Sequence, residues 1–306
     1  MKAKRRTTRL VPTSVTGLAA AAVLAVLPVY AAAGNPGLTA GGGGAAAAGG
    51  AAAAGPAELP KVNMAAVLEA AQIDPQRPDQ TLTGGAAEHV KKVELELAER
   101  GVLERRYVDG HYGTATLGAY SAFQRSLGYE GLAANGIPGH RSLTALGDHA
   151  FDVTHIVRPG TRVTLDGATF NKRTKEMLLE SQRLTGVTFD VEQGSYNPGG
   201  DPTSAGTHDG GGAVDLYVDG MSRQKRTEVV RAMREVGFAA WYRSPAQGNW
   251  GPHIHAVALG DPDQSETARA QTGDYYLGKN GLANDLPDYG PKVEPIRTWE
   301  GYQRTQ

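Results

Sequence analysis

Apolar residues return at helical spacing in three places between residues 85 and 149. Val90, Val93 and Leu97 form one stripe, stopped by Gly101. Leu117, Tyr120, Phe123 and Leu127 form a second, stopped by Gly128, and Leu143 with Leu146 marks a short third. The connection YVDGHYGTAT holds the turn residues Asp109, Gly110 and Gly113, followed by capping threonines. A small three-helix domain is expected. After Phe151 the pattern changes. THIVRPG and TRVTLDG read as strands closed by Pro-Gly and Asp-Gly, and VTFDVEQGSY, AVDLYV and HIHAVALG as further strands. Two helices lie between them, Asn171–Thr185 with Asn171 as N-cap and Ser222–Val236 with Ser222 as N-cap. Strands and helices without regular alternation predict an α+β fold. A short helix is expected at Asn63–Ala71, stopped by Pro75 and Pro78, and residues 261–306 read as an irregular tail that packs on the domain.

The first residues carry a different signal. MKAKRRTTRL is basic, Val15–Ala33 is apolar, and the run ends in three alanines before Gly34. This is the layout of a secretory signal peptide over residues 1–33, so export, a secreted or wall-associated location, and no stable membrane anchor after cleavage are expected. Gly34–Gly55 is almost pure alanine and glycine, and residues 34–84 are read as a linker with a short helix. The chain has 306 residues and a formal net charge of −1, and losing five basic residues with the leader takes it to about −6. Nucleic acid is therefore not an expected partner. Cysteine is absent, which excludes disulfides, thiolate metal sites and cysteine nucleophiles.

The segment VKKVELEL, the run Val108-Asp109-Gly110-x-Tyr112-Gly113-x-x-Thr116, Phe123-Gln124-Arg125 and Gly136-Ile137-Pro138-Gly139 together resemble the peptidoglycan-binding domain appended to cell-wall hydrolases. The resemblance spans residues 85–149 and implies peptidoglycan as partner. Most of its residues are fold-forming turn and core positions.

Chemistry concentrates elsewhere. In SAGTHDGGGAVDLYV, His208 and Asp215 flank three glycines, and the carboxylate sits inside an apolar run. In HIHAVALG, His253 and His255 share one strand face, because side chains alternate. If the two strands are neighbours, His255 and Asp215 converge, and the glycines let His208 bend back to them. Two histidines and a carboxylate are a three-ligand zinc set of the catalytic type, with a place for water whose pKa zinc lowers to roughly 7. The remaining histidine is suited to bonding substrate or moving a proton.

His208-x-x-Gly211-x-Ala213-x-Asp215 followed by His253-x-His255 resembles the signature of the LAS-type zinc peptidases, which include D-Ala-D-Ala carboxypeptidases, dipeptidases and murein endopeptidases. The resemblance spans roughly Arg158 to Leu259, within an expected domain at residues 150–260. It implies a small antiparallel sheet with outer helices, Zn2+ held by His208, Asp215 and His255, and His253 in the active site. It implies hydrolysis of peptidoglycan stem peptides or cross-links.

The departures from that signature set the open questions. Pro252 stands where many members carry the general base, so either His253 or a distant acid takes the role. A substrate-holding arginine is replaced in Gly194-Ser195-Tyr196-Asn197, leaving Gln193, Ser195, Arg243 and Trp250 as substrate-binding candidates. The lost arginine weakens capture of a terminal carboxylate and tilts the reading from carboxypeptidase toward endopeptidase. The alternative is a non-catalytic peptidoglycan-binding protein with a degenerate zinc peptidase domain.

Overall fold

A computed structural model describes residues 58–306. The expected leader at 1–33 and the glycine–alanine stretch lie outside them. The described chain is mixed α+β. No described helix is long and apolar enough to cross a membrane.

The helical half begins earlier than the pattern suggested. Strand β1 (Lys61–Asn63) leads into α1 (Met64–Ile73), whose N-cap Asn63 accepts the Ala66 N–H at 3.2 Å. Helices α2 (Ala87–Glu99), α3 (Thr114–Ser126) and α4 (His140–Leu146) follow, and β2 (Asp152–Thr154) pairs in parallel with β1. Val62, Val67 and Leu68 are fully buried in one core with Val90, Val93, Leu97, Tyr120, Leu143 and Leu146. The short helix expected at Asn63–Ala71 is α1, but residues 61–76 belong to the helical core and not to a linker. Those residues close the helical core, which the three later stripes do not close alone. Ala-rich α1 lacks a polar face because it is covered on several sides.

The connection between α2 and α3 folds around a buried carboxylate. Glu94 accepts the N–H groups of Asp109 and Gly110 at 3.1 and 2.8 Å and the Thr116 hydroxyl at 2.9 Å. Burial raises its carboxyl to about 7 despite these donors. A carboxyl that holds its proton more tightly when folded destabilises the fold as pH rises from about 4.5 to about 7, and the loss is complete above that. The step is at most of order 3 kcal/mol. Glu94→Gln keeps one acceptor for the two N–H groups and places an NH2 against Thr116. It should match the parent at pH 5 and exceed it at pH 8 in urea unfolding. An unchanged pH step in the variant would refute the assignment.

The second half opens with a hairpin, β3 (Arg162–Leu165) and β4 (Ala168–Asn171), turned at Asp166-Gly167. Helix α5 (Lys172–Thr185) is capped by Asn171 and ends at Gly186, as expected from the sequence. Then come β5 (Val191–Gln193), β6 (Ala213–Tyr217), α6 (Arg223–Glu235), β7 (Phe238–Arg243) and β8 (His253–Ala258). The four strands form one antiparallel sheet in the order β5-β6-β8-β7. VTFDVEQGSY contributes only three strand residues, and THIVRPG does not form the expected strand beyond the end of β2.

The sheet has two unlike faces. Val214, Leu216, Ala240, Ile254 and Ala256 face α5 and α6, packing on Met177, Leu178, Val229, Val230 and Met233. The other face meets α7 (Glu266–Tyr276), through Ala268 against Ala213 and Val257, and Tyr275 against Trp241. A short α8 (Trp299–Gln303) places Tyr302 in the α5/α6 core. Residues 261–306 do pack on the domain, and α7 and α8 make part of them regular where an irregular tail was expected.

Helix α7 also joins the two halves. A side chain at Gly273 would collide with the carbonyl of Gln72 on α1. The Gln72 amide donates to Gln264 at 2.8 Å and accepts the Gly260 N–H at 3.2 Å. Asn135 donates to the carbonyls of Pro262 and Gln264 at 2.9 and 3.0 Å.

Candidate metal centre

Strand register builds the site. Gln193, Asp215, His255 and Trp241 lie opposite one another across β5, β6, β8 and β7, forming one row on the α7 face. Tyr217, His253 and Arg243 form the next row on the same face, two residues along. The neighbouring strands and same-face histidines expected from the sequence are therefore both present.

His208 arrives from a short turn, Thr207–Asp209, before the glycine run. The glycines serve close approach more than bending. A side chain at Gly210 would collide with the backbone of Asp263 and Ser265, and only Gly212, with φ +85°, needs the left-handed region before entering β6. This lets the loop preceding β6 lie against the loop preceding α7.

His208, Asp215 and His255 are all buried, with ligand atoms within 4.8 Å of one another. The group can hold a metal ion. Each ring is oriented from outside the cluster. His208 Nδ1 lies 2.9 Å from the Gly194 carbonyl, which only accepts, so Nδ1 carries the proton. His255 Nε2 lies 2.8 Å from Oε1 of Gln271 on α7 and donates to it. The inner nitrogens of the neutral rings are then lone pairs, His208 Nε2 at 3.1 Å and His255 Nδ1 at 2.6 Å from the two Asp215 oxygens. Two lone pairs and a carboxylate converge where charge is costly to bury, and a cation among them resolves the repulsion. His208 Nε2 is buried without a hydrogen-bond partner, because its contact with Asp215 is out of hydrogen-bond alignment. Outward donation by both histidines is the arrangement that orients metal ligands.

The electrostatics agree on a charged Asp215. Burial acts to raise its carboxyl, but His255 and His208 outweigh that when their inner nitrogens carry protons, and hold it well below the usual carboxylate range; a metal cation would take the place of those protons. The rings diverge. Burial lowers His208 but Asp215 more than compensates and raises it, whereas burial prevails at His255, which Arg243 also disfavours as a cation.

No family model, no curated protein and no solved structure matches the chain.

The cluster lines a cleft of about 930 Å3. His253 lies at its side, with Nδ1 2.9 Å from the Gly251 carbonyl and Nε2 3.9 Å from Asp215 Oδ1. Donation by Nδ1 leaves Nε2 as an acceptor facing the cluster. Gln193 lines the cleft, and its buried amide nitrogen has no partner. Trp250 lines it too, edge-on to His253 at 6.4 Å and bonded to the Ser244 carbonyl at 3.1 Å. Arg243 is 3% exposed and reaches the cleft floor, donating to the Asn280 carbonyl at 2.7 Å. Burial lowers its guanidinium to about 10, against the opposing charge of Asp215.

Ser195 does not reach the cleft. It is 1% exposed and donates to the Ala213 carbonyl at 2.8 Å, tying the turn after β5 to β6, so its place among substrate contacts is withdrawn.

Three site residues escaped the sequence reading. Trp241 stacks on His255 with centroids 6.2 Å apart and planes 11° from parallel. Gln271 sits in a stretch read as tail. Glu192 lines the cleft beside Gln193, which strict alternation forbids, but the β5–β6 register shifts between Val191 and Gln193. Such a bulge re-aims a side chain. Burial raises the Glu192 carboxyl, His253 opposes the rise and Asp215 adds to it.

Proposed function

We propose that the protein is a secreted zinc-dependent peptidase that hydrolyses peptide bonds in peptidoglycan stem peptides or cross-links. One observation carries the reading. Two histidines whose outer nitrogens donate to Gly194 and Gln271 aim their inner nitrogens at a buried carboxylate on the floor of a large cleft. His208, Asp215 and His255 would hold the metal, and a two-histidine, one-carboxylate set suits zinc in its catalytic role. When bound, zinc supplies Lewis acidity and makes water a nucleophile near neutral pH. The protein's own groups do the rest. His253 Nε2 accepts the proton of the attacking water and returns it to the departing amine. Glu192, on the cleft wall, stabilises the imidazolium that forms meanwhile. Gln193 and Trp250 line the channel for the peptide, and Arg243 supplies a fixed positive charge beneath it. The resemblance of residues 85–149 to peptidoglycan-binding domains supplies the polymer, and the expected leader its location.

The test is product analysis. Purified full-length protein with one equivalent of zinc should release peptides from murein, detected by mass spectrometry. A chelator should stop release and added zinc restore it. Murein that binds the zinc-loaded protein but stays uncut would instead establish a non-catalytic wall-binding protein.

A further inference from the structure

Beside the metal cleft lies a second cavity of about 640 Å3. It runs around edge strand β7, between the first turn of α6 and residues 280–291, and Arg243 and Gln247 line both spaces. The two spaces therefore adjoin at the end of β7.

The annex is strongly basic. Arg223 and Arg226 project from the first turn of α6. Cations there work against the helix dipole, so helix stability does not account for them. Their neighbours' charges are satisfied elsewhere: Lys225 pairs with Glu228, and Arg234 pairs with Asp288 at 2.8 Å. Among the described residues, no carboxylate lies within ion-pair distance of Arg223, Arg226 or Arg243. Arg226 is also held in place. Its guanidinium lies 4.3 Å over the Tyr242 ring and donates to the Tyr242 hydroxyl at 2.9 Å, while its buried Nε has no partner. At the rim Tyr289 is 88% exposed, a flat apolar surface beside the arginines.

A fixed guanidinium with a buried unpaired donor, two more arginines without an ion-pair partner and a position adjoining the metal cleft call for an anionic group on the ligand that fills that cleft. We propose that this annex binds a side carboxylate of the peptide substrate, with Arg223 and Arg226 as its specificity-determining contacts. The proposal rests on the peptidase reading for the identity of the ligand. It predicts that peptides bearing an acidic group next to the scissile segment are preferred over their amides.

The experiment uses full-length protein, zinc-loaded, and two probes: a murein stem peptide with its glutamate carboxylate free, and the same peptide with that group amidated. Calorimetry should show the free acid bound about tenfold more tightly by the parent, as a charge-assisted contact implies. Added salt should narrow the gap. The Arg223→Gln/Arg226→Gln double variant should bind both peptides alike and keep the parent's melting temperature and zinc stoichiometry. Equal affinity of the parent for acid and amide, or discrimination that survives in the double variant, would overturn the annex. Cleavage is read separately: discrimination without cleavage would refute the peptidase reading and leave the annex standing.

Discussion

Asp215→Asn should reduce zinc affinity more than 100-fold and take the bound metal from about one ion per chain to none. The carboxylate is the only negative charge among the three ligands, and both inner histidine nitrogens face it. An amide of the same shape keeps the volume and loses the charge, so circular dichroism should be unchanged. Gln271→Ala should fall between parent and Asp215→Asn, with affinity reduced about 10- to 100-fold, as for other residues that orient a ligating histidine. Metal content by mass spectrometry and competition against a chromophoric chelator measure both. Zinc should raise the parent's melting temperature and leave that of Asp215→Asn unmoved. Parent affinity should fall on acidification, because Asp215 raises His208 and zinc must displace the proton held there. An Asp215→Asn protein that retains stoichiometric zinc at parental affinity would remove the metal site altogether.

The parts of this site that could be read from sequence were those that follow the two-residue period of a strand. His253 and His255 share a face because they are two apart, and Asp215 stood out as a carboxylate in an apolar run. Helix starts were equally legible where a side chain makes the cap, as at Asn63, Asn171 and Ser222. What stayed hidden had tertiary causes. Helix α7 shows no apolar stripe, because it lies between the sheet and α1 and spends its positions on Gln271, Gly273 and Arg269. Helix α1 hid its role for the opposite reason, being apolar on nearly every side. Glu192 reaches the cleft through a register shift, and alternation counted along β5 points it away. β7, with its run of buried residues from Phe238 to Trp241, has no alternation to detect, since α7 and α6 cover both its faces. Arg243 was a candidate substrate contact because it flanks the HIHAVALG strand in sequence. Its depth, and the two arginines beyond it, come from the path of residues 280–291 around the sheet edge.

His253→Ala should lower kcat by about 10²–10⁴-fold while zinc affinity stays within a few-fold of the parent. The expectation follows from ring orientation. Gly251 fixes the proton on Nδ1, and Nε2 points its lone pair into the cleft 3.9 Å from the Asp215 carboxylate, near the cluster without belonging to it. Pro252 stands where the resemblance led us to expect an acid, so in the proposed reaction proton transfer would fall to His253 or to Glu192. Geometry favours His253, whose acceptor nitrogen faces the ligand cluster, whereas Glu192 lies on the far side of β6, at the outer wall of the cleft. Glu192→Gln should therefore cost about tenfold, by withdrawing the negative charge that stabilises protonated His253. The two variants also differ in their pH response. A carboxyl raised by burial is still protonated where an ordinary carboxylate has ionised, so at acid pH the parent lacks the charge that the Gln variant lacks at every pH. The deficit of Glu192→Gln should shrink on acidification, while that of His253→Ala should not follow the titration of that carboxyl. The order of the two losses decides the assignment. If Glu192→Gln is the more damaging and removes the acid limb of the kcat/KM profile, the carboxylate is the base, and the bulge in β5 supplies what Pro252 lacks.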